Sequence, residues 1–545
     1  MQKPCENNRN WHHAAAFLLV GACAAISSGC GGYSSGPAGP PSLTSIAVSP
    51  ANVSISPGLT QQFKATGTYS DSSTKDLTGT AMWSSSAMTV ATVSASGLAS
   101  GMSTGTATIS ASSGTISGST TLTVSTLASQ LIQHVVIIFQ ENRTPDNLFQ
   151  GLPGADIATS GLNSAGQMVP LTPEPLANNY DLDHSHFAFL TMYDNGKMDG
   201  ADKVRFSCAP TAVGCPPPNP QFKYVNPADV IPYVDLAKQY TFGDRMFQTN
   251  QGPSFPAHQF IIAGTSAPDD GTRKLFASEN PVVPPNVPAT AERAGCMAPT
   301  GTTVALIDPS GSEATTQYPC FEHPTLIDSL DAQKIDWRYY APSAVGLSIW
   351  VGPDAIQHIR TGSDWSKVVL NQTQVLTDIA NGQLTQVSWV IPTGQASDHA
   401  NGNDGSGPSW VASIVNAIGN SPYWLHTAII ITWDDWGGWY DHVPPPSIAN
   451  QYEYGFRVPL IVVSPYAKRG YVSKVNHDFG SILRYIEGIF KLPSLGYADA
   501  RADDLSDCFD FTQVPPPFAP IAARLKAQDF LNDKSIPLPP DDDDQ

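Results

Sequence analysis

Two stretches of this chain are too apolar to face water on either side, and both stop on acidic residues. His134-Val135-Val136-Ile137-Ile138-Phe139-Gln140 runs into Glu141-Asn142-Arg143, and Thr427-Ala428-Ile429-Ile430-Ile431-Thr432-Trp433 runs into Asp434-Asp435. Short runs of this kind, rich in β-branched residues, read as strands covered on both faces, which is the habit of parallel sheets in α/β proteins. Such sheets keep their chemistry in the loops beyond the carboxyl ends of the strands. Two strands that each deliver carboxylates to that edge can hold one divalent cation between them.

The chain has 545 residues, 41% of them hydrophobic, so it is too long for one ordinary core and reads as two folded domains of unequal size. A formal charge of −19 disfavours a nucleic-acid partner, which usually demands a basic face. Residues 1–30 carry Lys3 and Arg9, an apolar run from Ala14 to Ile26 and small residues before Cys30, the layout of an export signal rather than of a spanning helix. Ser27-Ser28-Gly29-Cys30 is similar to a lipoprotein processing site, with Val20-Gly21-Ala22-Cys23 as a competing match and ordinary cleavage without lipid as the alternative. Acylation of Cys30 leaves 31–41 as a Gly/Ser/Pro tether and puts membrane contact at an N-terminal lipid anchor in the cell envelope. Without the lipid the protein is periplasmic or secreted.

From Ser42 to about Ser125 the composition shifts to Ser, Thr, Gly and Ala, with short alternating segments such as Ile46-Ala47-Val48 and Leu122-Thr123-Val124 broken by Pro50, Pro57-Gly58 and Ser96-Gly97. That spacing predicts a small β-sandwich over 42–126. Ala81-Met82-Trp83-Ser84-Ser85, followed by Val90-Ala91-Thr92-Val93 and Gly97-Leu98, resembles a bacterial immunoglobulin-like domain of group 2, with Trp83 as its core residue. No cluster of acids or histidines lies here, so the module is a spacer or binds a surface component. Past Gln130, strand and helix patterns alternate between Pro-rich loops, which fits a large α/β/α domain over 131–536, and the Pro/Asp run at 537–545 is a solvated tail. Cys208 with Cys215 and Cys296 with Cys320 can each close a disulfide, leaving Cys508 unpaired. A zinc site is the competing reading, but these pairs lack its tight spacing.

Glu141-Asn142-Arg143-Thr144-Pro145-Asp146-Asn147-Leu148-Phe149 resembles the signature of the bacterial phosphoesterases, a family that includes phospholipases C and acid phosphatases of the A type. The resemblance continues through Ser397-Asp398-His399, Asn420-Ser421-Pro422, the Trp-Asp-Asp-x-Gly-Gly block, Arg457-Val458-Pro459, Ser464-Pro465-Tyr466-Ala467 and Ser481 to Glu487. It implies an alkaline-phosphatase-like α/β/α fold and hydrolysis of phosphoric esters, either phospholipid diesters or monoesters, with one divalent metal ion. Three departures, Pro145, Asn147 and Phe479, lie beside the implied ligands and bear on substrate preference.

Asn250-Gln251-Gly252-Pro253-Ser254-Phe255-Pro256 resembles the family's Gly-Pro-Ser/Thr-x-Pro turn, which makes Ser254 the nucleophile at a helix N-terminus, where dipole and free amides favour an anion. The alternative is that Ser254 merely caps the helix. Glu141, Asn142, Asp434 and Asp435, with Ser254, are the implied oxygen ligands of the cation. His184 in Asp183-His184-Ser185-His186 is placed as a phosphate contact. His399 is the general acid and His358 a weaker third candidate, His186 stands where the family usually has an aromatic, and His442 and His477 read as structural, with Asp441-His442 orienting the Asp434-Asp435 turn. Two rivals remain: a degenerate surface-binding scaffold, and a sulfatase or phosphonate hydrolase, against which Ser254-Phe255-Pro256-Ala257-His258 lacks the Arg of a formylglycine-type motif.

Overall fold

A computed structural model describes residues 40–536 apart from 56, 125–127, 210–211, 272–273, 289–290, 343–346 and 447–451. The export segment with Cys23 and Cys30, nearly all of the tether and the acidic tail lie outside the described residues. Among the described residues no helix is long and apolar enough to cross a membrane.

Residues 43–124 form only strands, in three small antiparallel or mixed sheets. The longest pairing joins Gly105–Ser113 to Ile116–Val124 through a tight turn, and alternate residues Ala107, Ile109 and Ala111 and Leu122 and Val124 point into one core. Trp83 is not at its centre. It lies on Met82–Ser85, the edge strand of its sheet, half-buried, with its indole N–H donated to Thr78 O at 2.9 Å. An edge strand has one side open to water, so its largest residue covers the rim, and the fully buried aromatic is Phe63 instead.

The second unit is built on an eight-stranded sheet with the order 368–369, 337–340, 387–390, 134–140, 427–433, 460–463, 241–243, 471–473. Leu460–Val463 runs antiparallel to both of its neighbours and every other pair is parallel, so seven strands share one direction. Two groups of helices cover the sheet. Ile231–Gln239, Gln374–Ala380, Gly407–Gly419 and Ala527–Asn532 pack together, and Ser254–Ala263, Leu326–Ala332, Phe479–Phe490 and Ala498–Arg501 form the other layer. This sandwiching is why the central strands are apolar throughout: Val135 to Phe139 and Ala428 to Ile431 are all fully buried, each large side chain contributing about 1.5–3 kcal/mol.

The two apolar runs are neighbours in exact step. His134 pairs with Thr427 and Gln140 with Trp433, so the strands end at the same level and Glu141 and Asn142 emerge beside Asp434 and Asp435. A smaller apolar cluster, separate from the main core, unites Val169, Leu182, Phe189 and Met192 with Trp436 and Trp439, the residues just beyond that strand end. Cys208–Cys215 and Cys296–Cys320 are disulfide-bonded, and Cys508 is free and buried.

Candidate active site

Backbone hydrogen bonds lock the strand ends before any side chain is considered. Asp434 N donates to Gln140 O at 2.9 Å, Arg143 N to Asp435 O at 3.0 Å, and Glu141 N to Ser397 O at 2.9 Å, which draws in the loop that carries His399. The Asp434 carboxylate accepts from the N–H groups of Asn142 (2.9 Å) and Asp435 (2.7 Å). Asn142 itself adopts a left-handed backbone (φ 61°), a conformation that Asn tolerates better than most residues. The Gly-Gly that follows is required here: Gly437 has φ +62° and a Cβ there would lie 2.4 Å from Asn142 O, and Gly438 has φ +73° with a Cβ 2.4 Å from that of Leu182.

Ser254 opens the helix Ser254–Ala263. Pro253 occupies the cap position, so Ser254 is the first residue of the helix rather than its cap. Ser254 Oγ lies 3.4 Å from both Glu141 Oε2 and Asp435 Oδ2. The helix N-terminus is pinned by Asn280, whose Oδ1 accepts from Phe255 N at 3.0 Å. His184 donates from Nδ1 to Leu182 O (2.8 Å), so its Nε2 is the acceptor for Asn142 Nδ2 at 2.9 Å, and that same nitrogen lies 3.9 Å from Asp435 Oδ2. His399 donates from Nδ1 to Ala400 O (2.7 Å), leaving Nε2 to carry or accept a proton, with its ring 5.7 Å from that of His184.

The structure therefore brings Glu141, Asn142, Ser254, Asp434, Asp435 and His184 into one contact network with His399 beside it. His358 is not part of it. It sits on the short helix Gln357–Thr361, a third exposed, with Nδ1 2.7 Å from Glu322 and Nε2 3.0 Å from Asp328, contacts separate from the network around Ser254. Asp441 and His442 form a cluster of their own: Asp441 takes two hydrogen bonds from the fully buried Arg457 (2.8 and 2.9 Å), and His442 bridges Asp146 (2.8 Å) and Asp156 (3.1 Å). They brace the loop that follows Asp435. His186 pairs with Glu313 at 3.0 Å and His477 with Asp503 at 2.8 Å.

One residue of the site had no assigned role in the sequence. His258 stands one helical turn after Ser254, fully buried, with Nε2 3.2 Å from Glu141 Oε1. The signal was the i, i+4 spacing, which stacks two side chains on one helix face.

Glu141, Asp434 and Asp435 are three fully buried carboxyl groups in contact. Burial, then the charges of Asp434 and Asp435, hold the Glu141 carboxyl well above the usual carboxylate range. Burial also acts on Asp434, but hydrogen bonds from Glu141, Ser254 and Asn142 N hold it low. Arg143 cannot offset this charge, because its guanidinium donates to Asp398 O, Asn147 Oδ1 and Leu176 O on the far side of the loop. Two buried oxygens in the cluster, Asn142 Oδ1 and Asp434 Oδ2, have no hydrogen-bond partner. An acceptor-rich, dry cluster of this kind fits a divalent cation, and ligand atoms of Glu141, His258 and Asp434 all lie within 4.8 Å of one another.

The chain is similar to the hemolytic phospholipase C of Pseudomonas aeruginosa, 25% identical over 72% of this chain and 58% of that protein. It is similar also to the non-hemolytic phospholipase C of Burkholderia pseudomallei, 26% identical over 70% of this chain and 59% of that protein. The chain thus spans somewhat under two thirds of the length of these relatives. A solved protein of the alkaline phosphatase superfamily from Vibrio parahaemolyticus covers 69% of this chain and 72% of its own, with 8% identity and a TM-score of 0.30. Residues 42–124 match the bacterial Ig-like domain of group 2. Residues 132–493, well over half the chain, match the Phosphoesterase family, and with the strand-end carboxylates and the Ser254 turn in place within that span the chain belongs to this family.

Proposed function

We propose that the chain hydrolyses phosphoric esters, with Ser254 as nucleophile and one divalent cation held by Glu141, Asn142, Asp434 and Asp435. The observation that carries this reading is Ser254 Oγ, at the first turn of a ten-residue helix and 3.4 Å from two carboxylates of the cluster. The helix amides and dipole favour the phosphate that Oγ attacks. When bound, a divalent cation neutralises charge on the transferring phosphoryl group and lowers the serine pKa. The Ser254 hydroxyl proton passes to the carboxylate oxygens it faces, the new Oγ–P bond forms in line as the ester P–O bond breaks, and His399 Nε2 protonates the leaving oxygen. Water then attacks the Ser254-linked phosphoryl group, giving a proton back to His399, while the P–Oγ bond breaks and Oγ recovers its proton from the carboxylate that took it. Asn142 Nδ2 holds His184 Nε2 toward the same space, where the ring, once Nε2 carries a proton, donates to the phosphate oxygens in place of accepting from Asn142.

The named activity of the relatives makes phospholipid diesters the first substrates to examine, ahead of monoesters. The same reading has the protein exported and anchored in the cell envelope through Cys30, with the 42–126 module as a spacer before a catalytic unit over 131–536. A panel of p-nitrophenyl phosphate, p-nitrophenyl phosphorylcholine and phosphatidylcholine, run with and without chelator, tests it. At least one ester is turned over, chelator abolishes the rate, and Ser254→Ala lowers it by about 10³ or more with the fold intact. Near-normal turnover by Ser254→Ala, or indifference to chelator, overturns the assignment.

A further inference from the structure

His258 lies among groups that dictate which of its nitrogens carries a proton. Tyr339 Oη donates its only proton to Trp350 O at 2.8 Å, so toward His258 Nδ1, 3.4 Å away, it can only accept. Nδ1 therefore holds the hydrogen and Nε2 presents a lone pair. That lone pair faces Glu141 Oε1 at 3.2 Å, in a position with no exposure to water, and two acceptors in such contact need a proton or a cation shared between them. The distance also discriminates. Two donors on one ion, each about 2.1 Å from it at 90–109°, are separated by roughly 3.0–3.4 Å, and 3.2 Å falls in that interval. The Tyr339 contact at the far nitrogen is the kind of outer hydrogen bond that metal-ligating histidines carry.

We propose that His258 Nε2 is itself a ligand of the divalent cation, so that the site is a mixed nitrogen and oxygen site that selects a borderline ion such as Zn²⁺ or Mn²⁺ over Mg²⁺ and Ca²⁺. This rests on Glu141 and Asp434 being cation ligands. Imidazole suits transition ions, whereas Mg²⁺ and Ca²⁺ favour oxygen donors throughout, so one His in an otherwise all-oxygen set shifts preference without changing charge. Ser254 and His258 share one helix face, and any displacement of the helix moves nucleophile and ligand together.

The full-length protein loaded with Mn²⁺ is examined by electron spin-echo envelope modulation, and Zn²⁺ and Mg²⁺ affinities are measured by chelator competition. The wild type shows imidazole nitrogen coupling. His258→Gln loses that coupling and weakens Zn²⁺ binding by about 10–100-fold while Mg²⁺ binding changes little. Tyr339→Phe, a milder change, keeps the coupling and weakens Zn²⁺ by about tenfold. Coupling that survives unchanged in His258→Gln, or equal losses for Zn²⁺ and Mg²⁺, overturns the assignment of His258 alone. A wild-type protein that binds no divalent ion overturns the metal reading beneath it.

Discussion

His399 and His184 are both imidazoles with Nδ1 committed to a backbone carbonyl, yet their surroundings differ. His184 Nε2 is already engaged by Asn142, whereas among the described residues the hydrogen bond shown for the His399 ring is on Nδ1. This predicts a split by leaving group. His399→Asn slows esters of poor, alkyl leaving groups far more than p-nitrophenyl esters, by about 10²–10³ against less than tenfold, because only the former need a proton. Paired rate measurements on the two ester types check it, and equal losses would make His399 a phosphate contact like His184. At this scale the sequence was legible where residues act in short motifs. Glu141, Asp434 and Ser254 could be read because each stands at the end of an apolar run or in a defined turn. His258 escaped because its contacts depend on a helix register and on Tyr339, 81 residues away, and His358 drew attention because nothing local distinguishes a histidine that meets Glu322 from one that meets a substrate.

Among the elements, the turn after Thr427–Trp433 determines the geometry, and two devices hold it. The first is the close approach of Gly437 to Asn142. Gly437→Ala combines a positive φ with a 2.4 Å contact to backbone and should cost about 1–3 kcal/mol of stability, with loss of cation affinity beyond what the change in melting temperature alone explains. Thermal denaturation and metal titration of the variant check both. The second device is the ionic brace of Asp146, Asp441, Arg457 and His442. Burial alone would lower the imidazole pKa, but Asp146 in contact and Asp441 nearby outweigh burial and the repulsion of Arg457, and push His442 up to about 9. A folded pKa raised above the ordinary value near 6.5 means that the contribution is whole below about pH 6.5 and is lost as pH rises to about 9. Stability should fall across that window and His442→Gln should flatten the fall, as denaturant midpoints at several pH values would show. The sequence assigned Asp441-His442 to orienting this turn but could not supply the partner that completes the brace, since Asp146 stands 296 and 311 residues from His442 and Arg457. The α/β/α layering was visible, because runs buried on both faces admit few other architectures. Trp83 shows the opposite case, in which a motif resemblance named a core residue but could not say that it would fall on an edge strand.

For the whole molecule, the contacts that define the site all come from residues beyond 131, and the 43–124 unit closes its own core around Phe63, Ile109 and Leu122. Removal of residues 31–126 behind a cleavable signal should therefore release an enzyme whose rate on a small phosphate ester stays within about threefold of the parent, with any loss confined to substrates at a surface. Assays on both substrate types decide this, and a folded but inactive truncate would mean that the module shapes the site. The pairing of Asn142 with Asp434 spans 292 residues, and this has a consequence for biosynthesis. At about 5–20 residues per second, roughly 15–60 s separate the synthesis of the two halves of the carboxylate cluster. Until the second half emerges the growing chain holds Glu141, Ser254 and His258 but neither Asp434 nor Asp435, and a chain terminated anywhere before Asp434 carries an incomplete carboxylate cluster however well its earlier portion has folded.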